Sequence, residues 1–205
     1  MEQNIDGKNV INHRQYIPLQ SDCSHFLVSF LSFFTIHVLF ILQWYNEERI
    51  INGHPEDVIT AGNSFNYQFT VNQRAGLSWY HPHPDGATAR QAFQGLAGLF
   101  IINDADEAAL NLPSGIYEIP LVIQDKRFAS SGIKYNPSMG KVMSGFMGET
   151  IIVNGEASPI AEVATRFYRL RILNGSNARI YNLALNNNSD LIIIGNDGGL
   201  FNLVP

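Results

Sequence analysis

The sequence predicts an all-β protein built from units of the sandwich or barrel type. Short apolar stretches separated by turns rich in Gly, Pro and Asn recur between residues 65 and 194. The stretch 65–71, FNYQFTV, alternates apolar and polar side chains, as a strand buried on one face does. The 205 residues are 45% hydrophobic and only 15% charged, which excludes a disordered chain.

Each further element follows from local pattern and composition. Strands are predicted at 65–71, 76–81, 97–102, 118–124, 150–153, 166–173, 179–185 and 190–194, and a short helix is predicted at 87–93. The region 118–205 holds too few strands for a closed sandwich, so we expect truncated units. In such units the apolar runs 99–102 and 191–194 would lack partner strands.

Charge and cysteine content exclude several classes of function. The formal net charge is −5 and no basic run occurs, so a nucleic-acid partner is not expected. A single cysteine, Cys23, excludes a disulfide framework and any site that needs several cysteines.

The N-terminal region contains an apolar run at 26–42, FLVSFLSFFTIHVLFIL. Its length is at the short limit for a membrane span, and the positive region and cleavage site of a signal peptide are missing. A membrane anchor, a late signal peptide and a segment foreign to the rest of the fold remain open. We interpret His37 within this run as a tolerated polar residue.

The clearest chemical signal is His81-Pro82-His83, which follows Trp79-Tyr80. Residues two apart on a strand face the same side, so two imidazoles can bind one metal ion or two adjacent ions. Pro82 places this pair at a sheet edge or loop rim. The alternative is a polar strand end with two exposed histidines.

The same region closely resembles the multicopper oxidases, a family that includes laccases, cuprous oxidases and bilirubin oxidases. The resemblance is carried by GLSWYHPHPDGATARQAFQGLAGLFIIND, by IYEIPLVIQDKRF, and then by ETIIVNG, RFYRLRILNGSNAR and IIGNDGGL, in the family's order. It implies cupredoxin-like Greek-key sandwiches: a partial first domain at 46–106, a linker at 107–117 and a partial second domain at 118–205. Residues 1–45 are then a non-familial N-terminal segment.

The resemblance also implies copper as the cofactor. His81 and His83 match a pair that serves the family's trinuclear copper cluster, and Trp79 and Tyr80 are expected to pack beneath that pair. Asp85 is a candidate for a supporting hydrogen bond. The family oxidises phenols, aromatic amines or metal ions and reduces dioxygen to water, and its members are extracytoplasmic, whether periplasmic or secreted.

The sequence departs from the family upstream of residue 53. His37 stands alone where a histidine pair is expected, and Asn52-Gly53 replaces Asp-Gly. His54 is interpreted as a loop residue. Cys23-Ser24-His25 lacks the histidine that should precede the cysteine of the family's electron-entry copper site.

These departures set the functional hypotheses. The first is a copper-binding, laccase-type multicopper oxidase that is truncated and not catalytic alone, so no catalytic residue is assigned. The alternative is a non-catalytic, copper-binding cupredoxin-like module, tethered to a membrane through 26–42. A decayed product without function is a third possibility.

The methionines at 139, 143 and 147 are spaced every four residues, and thioethers can bind Cu(I). Gly140, Gly145 and Gly148 favour a loop or core packing here rather than a helix.

Overall fold

The computed structural model describes residues 59–69, 71, 73–187, 189–197 and 199–201, together with the backbone of three short strands nearer the N-terminus. These are β1 (Tyr16–Pro18), β2 (Phe26–Ser29) and β3 (Val38–Leu39). Strands form most of the regular structure in these ranges, so the all-β prediction is confirmed.

The first sheet is built around two adjacent strands, β5 (Gly76–Pro82) and β6 (Gly98–Ile102). They run antiparallel, with Gly76 opposite Ile102 and Tyr80 opposite Gly98. β1 pairs with β6 in parallel, and β3 pairs with the end of β5, which gives the order β1-β6-β5-β3. β4 (Asn66–Phe69) pairs with β2 in a separate two-stranded sheet.

β6 corrects the expectation that the run 99–102 lacks partners. β5 and β1 lie on its two sides, so its backbone groups are paired in both directions. All five residues of β6 are buried, and Phe100 is only 1% exposed. A strand with neighbours on both edges and side chains buried on both faces is a central element of the core.

Two short helices flank β6. Helix α1 (Thr88–Phe93) precedes it, and helix α2 (Ala105–Ala109) follows it. The carboxylate of Asp104 accepts hydrogen bonds from the backbone N–H of Glu107 at 2.7 Å and of Ala75 at 2.8 Å. This residue therefore caps α2 and ties its start to the entry of β5.

The second sheet has the order β11-β10-β7-β12 and follows a 3₁₀ turn at Gly115–Tyr117. Its strands are β7 (Glu118–Lys126), β10 (Thr150–Val153), β11 (Glu156–Ala157) and β12 (Arg169–Asn174). β12 runs parallel to β7 through six residue pairs, whereas β10 is antiparallel to β7. Asn154 and Gly155, both with positive φ, form the two-residue hairpin loop between β10 and β11.

Three smaller elements complete the described part. Two hairpins join β8 (Phe128–Ala129) to β9 (Gly132–Ile133) and β13 (Gly195–Asn196) to β14 (Gly199–Leu200). Helix α3 (Met139–Ser144) lies where a loop or core packing was predicted. That prediction was wrong because a single interior glycine, Gly140, does not prevent one helical turn, while Gly145 at φ +94° ends the helix.

The segments 179–185 and 190–194 were predicted as strands, and this was wrong. No strand includes any described residue between 175 and 194. Ile180, Ile192 and Ile193 are 87%, 77% and 72% exposed. The expectation that 191–194 lacks partner strands is therefore confirmed.

The described residues contain no helix long and apolar enough to cross a membrane. Within the apolar run 26–42, Phe26–Ser29 and Val38–Leu39 are strands, and the other positions lie outside the described residues. Membrane attachment through this run stays a prediction, and so do the predicted domain boundaries.

A buried cluster of four charged side chains connects the first sheet's side of the molecule to the second sheet. Glu107 of α2 pairs with both Arg169 and Arg171 of β12, and each arginine also pairs with Glu118 of β7. All but Glu118 are less than 9% exposed. Both arginines of β12 are therefore buried and ion-paired.

Candidate metal centre

Strand β5 carries the first of the two predicted ligands. Its pairing with β6 ends at Tyr80 opposite Gly98, so His81 lies just beyond that ladder, where Leu39 of β3 is its partner. Trp79 and His81 are two apart on the strand and face the same side. Their rings stack, with centroids 4.3 Å apart and an interplanar angle of 25°. The indole therefore supports one face of the imidazole, as the sequence predicted.

Tyr80 points to the opposite face of β5, so the prediction that it also packs beneath the histidines was wrong. A Cβ added to Gly98 would overlap the Tyr80 ring and hydroxyl, which shows that the tyrosine lies across this glycine. Burial raises the pKa of Tyr80. The absence of a side chain at Gly98 thus leaves room for the Tyr80 ring to lie across β6 next to the site.

His81 is oriented by its own backbone neighbour. Its Nδ1 lies 2.9 Å from the carbonyl oxygen of Pro82. With the proton on Nδ1 donated to this carbonyl, Nε2 keeps a free lone pair for a metal ion. Burial is the main cause that lowers the pKa of His81, and the charge of His83 lowers it further, while the bond to Pro82 acts in the other direction. The imidazole is therefore held in the neutral form that binds metals.

His83 lies next to His81 and is half-buried. The two ring centroids are 5.7 Å apart, and the rings are tilted by 44°. This separation suits two imidazoles that bind the same ion or two neighbouring ions, and imidazole is a ligand for copper, zinc, iron and nickel. The donor set of the pair therefore fits copper, although two imidazoles supply only part of a copper ion's ligands.

Among the described residues, no group of three or more His, Cys, Asp or Glu side chains is placed to hold a metal ion. Asp85 is exposed, and in that part of the chain no hydrogen bond joins it to either histidine. The predictions for Cys23, His37, Asn52 and His54 concern positions outside the described residues, where the structure does not test them.

A cavity of about 350 Å³ lies at the other end of β5, between it and β12. Trp79 lines it together with Arg169, Asn174 and Asp197, but neither histidine does. Arg169 and Arg171, which line this cavity, already pair with Glu107 and Glu118. The four charges balance, so this buried cluster adds no net charge to the cavity.

Sequence reasoning used Val122–Arg127 only as a family match and missed the role of Asp125 and Lys126. Both are 1% exposed. Lys126 Nζ donates to the carbonyls of Ala92 and Phe93 at the end of α1, and Asp125 accepts from the N–H of Gly148. The signal that could have found them is adjacent opposite charges at the end of an apolar strand, which are rarely buried unless they are paired.

Comparison with known proteins gives a consistent result. Residues 35–107 match the family model described as multicopper oxidase. The laccase of Bacillus subtilis is 41% identical over 144 residues, which cover 65% of this chain and 28% of that protein. The multicopper oxidase mco of Staphylococcus haemolyticus is 42% identical over 151 residues, covering 73% of this chain and 33% of that one. The cell division protein FtsP of Xenorhabdus nematophila is 39% identical over 146 residues, covering 70% and 30%.

Solved structures agree with these relatives. The laccase-like multicopper oxidase CueO from Ochrobactrum sp. superposes with a TM-score of 0.76 at 36% identity. McoA from Aquifex aeolicus superposes with a TM-score of 0.73 at 40% identity, and both cover 86% of this chain and 40% of the other. The chain spans about a third of the length of the curated relatives it matches. The resemblance to the multicopper oxidases and the cupredoxin-like fold predicted from the sequence are thus confirmed: residues 35–107 match the family model, and the proteins to which this chain is similar include multicopper oxidases, which are copper proteins.

Proposed function

We propose that the chain binds copper through His81 and His83, as one histidine pair of a laccase-type multicopper oxidase. The observation that carries this proposal is the paired placement of the two imidazoles, 5.7 Å apart, with Nδ1 of His81 engaged by the Pro82 carbonyl. Bound copper supplies the capacity to accept and pass on single electrons. The protein's part is to hold the two rings next to each other, with His81 oriented and shielded from water.

The stacking of Trp79 on His81 supports the same role. A ring held between an indole and a backbone hydrogen bond has little rotational freedom, so less entropy is lost when a metal ion binds. Burial of His81 also excludes competing water from that ligand. Both features concern His81, which makes it the more strongly pre-oriented ligand of the two.

The proposed reaction is that of the family: oxidation of a phenol, an aromatic amine or a metal ion, coupled to reduction of dioxygen to water. Among the relatives, the Ochrobactrum protein is described as having oxidase activity towards lignin model compounds. The 205-residue polypeptide by itself is not expected to turn over, because its described residues bring together two histidines and no further metal ligand. We place the protein outside the cytoplasm on the family resemblance, which fractionation of cells that express it would test.

The second candidate is a copper-binding cupredoxin-like module without oxidase activity, with membrane attachment through 26–42 as one form of it. One relative, at 39% identity, is named as a cell division protein and not as an oxidase, which favours a role without oxidase activity. The two candidates differ in turnover and not in the histidine pair. The rate of phenol oxidation separates them: a rate above that of the same amount of free copper supports the oxidase, and a rate no higher supports the module without oxidase activity.

Copper uptake tests the shared part of both candidates. The chain, the double variant His81→Ala/His83→Ala and the control His54→Ala are loaded with Cu(II), dialysed and measured by elemental analysis. We expect copper to be retained by the parent chain and by His54→Ala and to be lost from the double variant. Equal copper contents in the parent chain and the double variant would show that the pair is not a copper site.

A further inference from the structure

Helix α1 follows directly on the turn that leaves His83. Thr88, its first residue, is five positions beyond His83. The carbonyl of Pro84 accepts hydrogen bonds from the N–H of Ala87 at 3.2 Å and from Oγ1 of Thr88 at 2.9 Å. Pro84 is fully buried. A displacement of α1 would therefore move Pro84, the residue next to His83, because two hydrogen bonds join Pro84 to the start of the helix.

The other side of α1 is held by residues beyond position 117. Asn177 Nδ2 donates to the carbonyl of Ala89 at 2.7 Å. Phe93, which is not exposed, packs against Tyr135 and Phe146 with centroid distances of 5.3 and 4.9 Å. Lys126 extends from the end of β7 to the carbonyls of Ala92 and Phe93.

Lys126 makes the contact that depends most on a specific group. The last carbonyls of a helix have no partner within the helix and carry partial negative charge, so a cation placed there is favourable. Lys126 Nζ donates to the Phe93 carbonyl and makes a longer contact of 3.5 Å with the Ala92 carbonyl, which also accepts from the N–H of Gly95. The amine lies 5.0 Å from the Phe93 ring centroid and is shielded from water. An apolar side chain at this position would leave the carbonyl of Phe93 buried without this donor.

We propose that Lys126 is a positioning residue for the histidine pair: by holding the end of α1 it fixes the Pro84 turn and with it the ring of His83. This inference rests on the proposed function for its relation to copper, since His83 is a ligand only in that proposal. The two histidines are then oriented by different residues. The ring of His81 is fixed by Trp79 and Pro82 on its own strand, whereas that of His83 depends on Lys126 through α1.

The test compares Lys126→Met, Lys126→Arg and the control Lys141→Met, which removes an exposed lysine on α3. The first readout uses metal-free protein: two-bond ¹H–¹⁵N correlation spectra, which report the environment and tautomer of each imidazole. The second readout is the Cu(II) hyperfine splitting in electron paramagnetic resonance spectra, together with the Kd for Cu(II). A loss of stability alone would not move the imidazole signals of the folded protein.

We expect Lys126→Met to shift the His83 signals but not those of His81, to change the copper hyperfine splitting and to weaken Cu(II) binding about tenfold, as loss of an outer partner does at metal sites. Lys126→Arg should restore the signals and Lys141→Met should leave them unchanged. Folded Lys126→Met with His83 signals like those of the parent chain would overturn the proposal.

The proposal stays testable if Lys126→Met does not fold or if the parent chain binds no copper. If Lys126→Met does not fold, Lys126→Gln shortens the side chain and removes the ammonium group that contacts the α1 carbonyls, and folded Lys126→Gln with His83 signals like those of the parent chain would overturn the proposal. If the parent chain binds no copper, the proposed function fails, while the metal-free spectra still decide whether Lys126 positions His83.

Discussion

The strand Gly98–Ile102 and the segment 190–194 have similar sequences, GLFII and DLIII, but the structure places them in opposite environments. The first lies between two strands and is buried along its whole length. The second forms no strand, and Ile192 and Ile193 are largely exposed. The comparison shows that an apolar run becomes a strand only where neighbouring strands and a facing layer are available, and the run itself does not contain that information.

The comparison is tested most strongly by truncating one large side chain in each segment. Phe100→Ala should lower the free energy of unfolding by about 3–5 kcal/mol, because it removes a ring from a fully packed site and leaves a cavity. Ile192→Ala should change the free energy of unfolding by less than about 0.5 kcal/mol, since that side chain is mostly in water. Urea unfolding followed by circular dichroism measures both.

Similar losses in the two variants would mean that 190–194 is buried in solution, and the contrast between the segments would then be withdrawn. A small loss for Phe100→Ala alone would instead place β6 outside the core.

Two adjacent charged residues of α2 show the same difference between a buried and an exposed environment. Glu107 is 5% exposed and accepts from two arginines, whereas Asp106 pairs with Arg74 at the surface. Glu107→Gln should cost about 3–5 kcal/mol, because both guanidinium groups would stay buried with only Glu118 to balance them. Asp106→Asn should cost less than about 1 kcal/mol.

The two substitutions are compared by urea unfolding in low and in moderate salt. Salt should weaken the small effect of Asp106→Asn but leave that of Glu107→Gln nearly unchanged, because a buried cluster is poorly screened. A loss below about 1 kcal/mol for Glu107→Gln would contradict the burial of this cluster.

How far the sequence predicts the structure differs between the site and its surroundings. β5 and the relation of His81 to Trp79 follow from a two-residue period, which is local information. The parallel pairing of β12 with β7 and the contact of Lys126 with α1 join residues that are far apart in sequence. No local pattern encodes these contacts.

Two of the wrong predictions, those for 190–194 and for 99–102, have the same cause. The segment 190–194 has the β-branched composition of a strand, and composition reports propensity but not the presence of a partner. The expectation for 99–102 counted too few strands because it did not foresee the parallel pairing with β1. The prediction for Tyr80 was wrong for a different reason: Trp79 and Tyr80 were both expected beneath the histidines, but adjacent residues on a strand face opposite sides, so only Trp79 shares their face.

Two glycines, Gly98 in a packed position and Gly140 in an open one, show the same difference on a smaller scale. Gly98→Ala should lower the free energy of unfolding by about 1–3 kcal/mol, because the new methyl group overlaps the Tyr80 ring. Gly140→Ala, in α3 with no atom within 4 Å of the added Cβ, should raise it by about 0.4–1 kcal/mol because the unfolded chain loses freedom. Thermal unfolding measures both, and a neutral Gly98→Ala would show that the Tyr80 ring does not lie as close to Gly98 as the structure indicates.

Lys126 also gives the stability of the chain a dependence on pH. Burial lowers the pKa of Lys126 to about 8, with the nearby Asp125 acting in the other direction, whereas the ordinary value is 10.5. Between these two values the unfolded chain holds a proton that the folded chain has released, so stability rises with pH, by at most about 1.4 kcal/mol per unit for one group. The neutral amine still has N–H groups to donate to the α1 carbonyls. The parent chain should therefore gain stability relative to Lys126→Met between pH 8 and pH 9.5. Urea unfolding at intervals of half a pH unit measures this difference, and parallel curves for the parent chain and Lys126→Met would show that Lys126 titrates as a lysine in water does.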